Sequence, residues 1–125
     1  MFDDDGRILL VRRADDEKWG LVAGWVEPGE HPAVTAVREL AEEIGVEGSV
    51  DELVDVFAFP ASGDYPHGVV AVVYLCSLAS TDFRAQPHEV LDIDWHDVGA
   101  VTDWHGYHET YARVALERWQ QRRAR

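Results

Sequence analysis

Apolar residues fall in short blocks separated by polar turns, and two stretches of the chain carry a different, helical spacing. The first block, Arg7 to Arg13, follows Asp5-Gly6, a strong hairpin-turn dipeptide. Only Met1 and Phe2 remain to make the strand before that turn, so the expectation is a hairpin whose first strand is largely missing, leaving one edge of Arg7–Arg13 unpaired. Trp19 to Val26 reads as strand and turn, broken by Pro28-Gly29. Leu53–Phe59 and Val69–Leu78, rich in Val, Phe and Tyr, read as strands, with a loop at Pro60–Gly68 between them. A second loop, Ala79–His88, leads to an alternating strand, Val90–Trp95.

The first helical stretch runs from about Pro32 to Ile44. His31 stands near its cap, Pro32 at its first position and Gly45 just past its end. A second helix is expected from about His105, where Tyr107, Tyr111, Val114 and Ala115 share a face and Arg118, Arg122 and Arg123 suit a helix C-terminus. Strands and helices in this order predict an α/β fold, a mixed sheet with helices against its faces. No internal repeat or linker is visible, and residues 1–125 read as a single domain.

At about 100° per residue, Glu39, Glu42 and Glu43 occupy one arc of the first helix, while Leu40, Val37, Ile44, Ala41 and Val34 fall on the opposite side. The acidic arc has two readings, a solvated surface or a site where a divalent cation offsets the repulsion of neighbouring carboxylates. Composition does not separate them, because 24 acidic residues against 11 basic ones give the whole chain a net charge of −13. That charge does disfavour a nucleic-acid polymer as partner. It also means that a phosphorylated small molecule needs local positive charge or a metal. With Lys18 as the only lysine, the composition suits a high-salt cytoplasm, although an ordinary acidic protein explains it nearly as well. No apolar run approaches the roughly 20 residues of a membrane span. Asp3-Asp4-Asp5 follows the start where a signal peptide would be positive, so the expected location is cytoplasmic, without a membrane partner. The lone thiol, Cys76, sits in an apolar strand and reads as core.

The tie over the acidic helix is broken by its surroundings. From Gly24 to Val46 the chain reads GWVEPGEHPAVTAVRELAEEIGV. Gly24, Glu30, Arg38, Glu39, Leu40, Glu42, Glu43, Gly45 and Val46 fill every specified position of the Nudix box, so the segment resembles the Nudix hydrolase family. The resemblance extends to Asp5–Arg13, Trp19-Gly20-Leu21 and Ile93-Asp94-Trp95. It departs at Val22-Ala23-Gly24, where many members have Pro-Gly-Gly.

The resemblance implies an α/β/α sandwich and a hydrolase that splits a diphosphate linkage with Mg²⁺, Mn²⁺ being a substitute. Glu39, Glu42 and Glu43 would bind the metal, with the carbonyl of Gly24, while Arg38 and Glu30 brace the loop against the helix. Glu89 stands where some members place a further metal-binding or proton-accepting glutamate; an ordinary exposed acid is the alternative. Arg12 or Arg13 would touch phosphate or form a surface ion pair. Trp25, Tyr65 and Phe59 would stack on a base or serve as core and rim. His105 and His108 share helical spacing but lack the further ligands of a zinc site. The expected substrate is a nucleoside triphosphate, a dinucleoside polyphosphate or ADP-ribose, and a homodimer stays open. Two other readings have less support: a catalytically weak nucleotide sensor or interaction module, which the intact box disfavours, and an isoprenoid diphosphate isomerase, for which Cys76 is poorly placed.

Overall fold

Ile8, Leu9, Leu10 and Val11 are all sealed from solvent, which a strand achieves only when both of its faces are covered. The computed structural model, which describes residues 1–125, shows what covers them. Strand β1 (Ile8–Arg13) and the two-residue β2 (Trp19–Gly20) precede helix α1 (Pro32–Ile44). Strands β3 (Gly48–Phe59), β4 (Val69–Leu78) and β5 (Val90–His96) follow, then a 3-10 turn at Val98–Ala100 and helix α2 (His108–Arg123). Leu9 and Val11 face Leu40 and Ile44 of α1, together with Val46 and Val90. Ile8 and Leu10 point the other way, onto Val98 and Val101 at the 3-10 turn and Ala112 of α2. The two-residue period of a strand thus divides one apolar run between two helices, and an α/β/α sandwich results.

A third cluster joins Tyr111 and Ala115 of α2 to Val54, Val73 and Leu75 of the β3–β4 hairpin. The strands form two sheets, β2-β1-β5 and β3-β4. All pairings between named strands are antiparallel. The parallel component of the expected mixed sheet is confined to an isolated bridge between Trp19 and Trp104.

Helix α1 has the predicted limits. His31 Nδ1 accepts a hydrogen bond from the Ala33 N–H at 3.0 Å, and the chain turns left-handed at Gly45, whose N–H donates to the Ala41 carbonyl. Four other expectations change. Strand β2 stops at Gly20, because the following residues leave the sheet to approach α1. Strand β3 starts at Gly48, five residues before Leu53; irregularities in its register with β4 interrupt the alternation that would have revealed it. Helix α2 starts at His108, after the bend at His105–Gly106. The expected unpaired edge on β1 is not present: β5 lies on one side, and on the other β2 pairs with Val11 and Arg12 while the Leu9 N–H donates to the Met1 carbonyl at 3.0 Å. Cys76 packs against the α1 cluster, and burial pushes its thiol pKa up. No helix is long and apolar enough to cross a membrane.

Candidate active site

Between α1, the segment after β2, β4 and the start of α2 lies a cleft of about 720 Å³. Its walls include Gly24, Trp25, Glu39, Glu43 and Glu89, together with Arg13, Tyr65, His105 and His108. Glu39 and Glu43 of the acidic arc therefore line the cleft, while Glu42 beside them stays exposed. Glu43 is only 5% exposed, although its helical position suggested solvent, because the segment leaving β2 folds across it. Its Oε2 accepts the Ala23 N–H at 3.0 Å. Val34, expected on the core side, is 57% exposed in the first turn.

The three carboxylates sit in unequal environments. Burial first, then the charge of Glu39, pushes the Glu43 pKa up to about 8. Glu39 is also raised, by burial and by Glu42, with Glu89 adding to the repulsion on both. Glu42 is more open and holds Arg38 at 3.1 Å. Arg38 is the hub: its Nε and NH2 reach the two oxygens of Glu30 at 2.8 and 3.0 Å, and its NH1 reaches Glu39 at 2.9 Å. NH2 also donates to the Trp25 carbonyl at 3.2 Å. One guanidinium thereby ties the loop to two acids of the helix, with the two-pronged geometry that lysine lacks. Bonding to Arg38 and to the Thr35 hydroxyl holds Glu30 down at about 2. Thr35, buried in the first turn of α1, gave no signal in the sequence; its Oγ1 donates to Glu30 Oε1 at 2.6 Å.

Gly24 makes the closest approach. A Cβ there would lie 2.0 Å from Glu39 Oε1, so the backbone beside Glu39 has room for no side chain. An oxygen-only donor set on α1, crowded enough to raise the Glu39 and Glu43 pKa values, next to a bare backbone segment, is chemistry suited to a hard divalent cation.

The remaining candidates divide. Arg13 lies on the α1 side of β1, lines the cleft and pairs with Asp15 at 2.7 Å. Arg12 is not among the cleft residues: alternation along β1 puts it on the face of Ile8 and Leu10. Glu89 comes from the turn before β5 and faces Glu39 and Glu43. Trp25 is 73% exposed at the cleft, whereas Tyr65 reaches in from the β3–β4 loop and stacks on Tyr107 with centroids 5.6 Å apart. Phe59 does not line the cleft; it stacks on Tyr107 at 3.8 Å, with planes 5° apart. His105 and His108 do not meet as zinc ligands. His105 Nδ1 is 2.6 Å from Asp16 Oδ2, and His108 Nδ1 accepts the Leu21 N–H at 2.9 Å. Asp15, Asp16 and His105 cluster closely, with Asp15 on Arg13 and Asp16 on His105. These two aspartates were not singled out in the sequence.

Residues 1–116 match the family described as NUDIX domain. The chain belongs to the Nudix family. It is 40% identical over 73 residues to a MutT-like protein of Streptomyces ambofaciens, covering 58% of this chain and 44% of that protein. It is 33% identical over 101 residues to the CTP pyrophosphohydrolase of Escherichia coli, covering 76% and 70%. Among solved structures, the NUDIX domain of Shewanella oneidensis NrtR complexed with ADP ribose superposes with a TM-score of 0.73 at 25% identity, covering 90% of this chain and 77% of that one. The chain spans 36% to 64% of the length of the Streptomyces protein and two further curated relatives. Nudix hydrolases generally use divalent metals, and the cleft's carboxylates are the oxygen donors such an ion takes.

Proposed function

We propose that this Nudix domain is a Mg²⁺-dependent pyrophosphohydrolase acting on a nucleoside diphosphate derivative, with Mn²⁺ as a substitute. The observation that carries the proposal is the placement of Glu39 and Glu43 on one cleft wall, their pKa values raised by burial and by the charge of neighbouring glutamates, beside the bare backbone of Gly24. Glu39, Glu42, Glu43 and the Gly24 carbonyl would hold the cation. When bound, it neutralises phosphate charge and makes water a better nucleophile.

The chain's own groups do the rest. Arg38 braces the Glu30 loop against α1 and orients Glu39 and Glu42. Arg13, at the cleft wall, meets phosphate oxygens. Trp25 and Tyr65 offer aromatic faces to a base. Glu89 takes the proton as water adds to phosphorus, and the bridging P–O bond breaks with its electron pair leaving on the departing phosphate. ADP-ribose, a nucleoside triphosphate and a dinucleoside polyphosphate all present such a linkage. The first is the ligand of the Shewanella domain, and CTP gives the Escherichia coli relative its name.

The test is a phosphate-release screen over nucleoside triphosphates, ADP-ribose, dinucleoside polyphosphates and sugar nucleotides. At least one substrate is expected to turn over with Mg²⁺, to stop with EDTA and to recover on adding metal. No product from any of them, or turnover indifferent to EDTA, overturns the proposal; nucleotide binding without turnover would favour a sensor.

Glu89→Gln is expected to lower kcat by at least about tenfold with a smaller change in KM, and to alter the acidic limb of the pH–rate profile. If Glu89 instead joins the metal site, half-maximal rate will need more Mg²⁺ and excess metal will restore part of it. A mutant within about twofold of wild type against both pH and Mg²⁺ removes Glu89 from the reaction.

A further inference from the structure

His108 opens α2 and is only 7% exposed, yet it lines the cleft. Its Nδ1 accepts the Leu21 N–H at 2.9 Å, so that nitrogen carries no proton. Burial, followed by the nearby His105 and Arg13, lowers its pKa to about 3, which keeps the ring neutral. The single ring proton must therefore sit on Nε2, and the backbone of another segment dictates the tautomer. Nε2 has no partner in the protein and is not a sealed, unpaired atom. The contact is tightly built: a Cβ on Gly20 would come within 2.7 Å of Nδ1, and the His105 ring stands edge-on at 4.9 Å between centroids. The result is a fixed, uncharged N–H donor on a residue that lines the cleft.

We infer that His108 is a specificity residue, donating its Nε2–H to an uncharged acceptor on the nucleoside portion of the substrate. A neutral donor suits a base carbonyl, a ring nitrogen or a ribose oxygen. Phosphate is better served by Arg13 and by the cation the carboxylates would hold. The aromatic surroundings agree with this division, because Tyr65 and Tyr111 line the same cleft and Tyr65 is braced by the Tyr107–Phe59 stack. The inference rests on the nucleotide-hydrolase reading but does not require turnover for its test.

Two substitutions separate the ring's nitrogens. In His108→Asn the amide oxygen approximates Nδ1, keeping an acceptor for Leu21 and losing the donor. In His108→Gln the amide nitrogen approximates Nε2, keeping the donor and abandoning Leu21. The probes are AMP, GMP and CMP, each a nucleoside with one phosphate and no linkage to cleave. At least one is expected to shift the His108 Nε2–H resonance in an NMR titration of the whole chain. His108→Asn should weaken that nucleotide by about three- to tenfold, the loss of one neutral hydrogen bond, with its melting temperature nearly unchanged. His108→Gln should bind it more nearly like wild type while melting lower.

If a substrate is hydrolysed, His108→Asn should raise its KM by a similar factor and leave kcat within about twofold. If none of the three nucleotides moves the His108 resonance, or if His108→Asn binds all of them like wild type, the inference is overturned even where hydrolysis proceeds normally. A lower melting temperature for His108→Asn with unchanged nucleotide affinity would make His108 a positioning residue for the Leu21 segment and likewise overturn it.

Discussion

Replacing Glu43 by glutamine is expected to cut turnover by at least about a hundredfold while leaving the fold intact. The substitution keeps the shape of the side chain and an oxygen for the Ala23 N–H, and it removes only the charge that a cation would need. Its effect on stability should run in the opposite direction. Glu43 titrates near 8 in the folded chain against an ordinary value of 4.5, so the folded state binds the extra proton between those limits. Its contribution to stability is complete below about pH 4.5 and is lost as pH rises through about 8. Metal-free wild type should accordingly melt lower at pH 8.5 than at pH 6, and Glu43→Gln should lose that part of the slope. At pH 8.5 without metal the mutant should be the more stable protein. Mg²⁺ selects the ionised carboxylate and should flatten or reverse the wild-type slope. Thermal denaturation in EDTA and in Mg²⁺ at both pH values, with turnover measured in parallel, checks each part. A mutant that melts lower than wild type at pH 8.5 without metal would make Glu43 a structural acid, and one with near-normal turnover would remove it from the metal site.

Gly24→Ala carries the second large effect, on the order of a hundredfold in turnover. The added methyl would fall 2.0 Å from Glu39 Oε1 and 2.1 Å from its Cδ, so either the loop or the carboxylate has to move. Either movement strains the 2.9 Å bond from Arg38 to Glu39 and the 3.2 Å bond from Arg38 to the Trp25 carbonyl. Raised Mg²⁺ demand together with lower kcat is the expected signature. Gly99→Ala is a suitable control, since a Cβ there meets nothing within 4 Å. Equal activity in the two variants would show that the close approach at Gly24 does not matter to the reaction.

Local chemistry made part of this protein legible from its residues in order. Helix α1 was readable to its limits because its start and stop signals are local: His31 and Pro32 at one end, Gly45 at the other. Strand β4 was equally clear, being an apolar run between a loop rich in turn formers and a polar stretch. The spacing of the box from Gly24 to Val46 carried the resemblance to the Nudix family, since each specified residue lies at a fixed distance along the chain.

Long-range packing decided the rest. Helical angles alone put Glu43 on an open face; the segment after β2, folding back to donate the Ala23 N–H, turned that face into a buried wall and its carboxyl into a near-neutral one. Alternation separates Arg12 from Arg13, but which of them meets the cleft depends on which face of β1 lies towards α1. Strand β3 hid behind its register irregularities, and β1 gained its second edge from Met1 and β2. His108 shows the limit most plainly. Its tautomer is set by a backbone N–H 87 residues away, and its protonation by burial that exists only once α2 docks. Residue identity and spacing fix what a side chain is able to do, whereas its charge, its tautomer and the wall it lines depend on neighbours that only folding brings within hydrogen-bond reach.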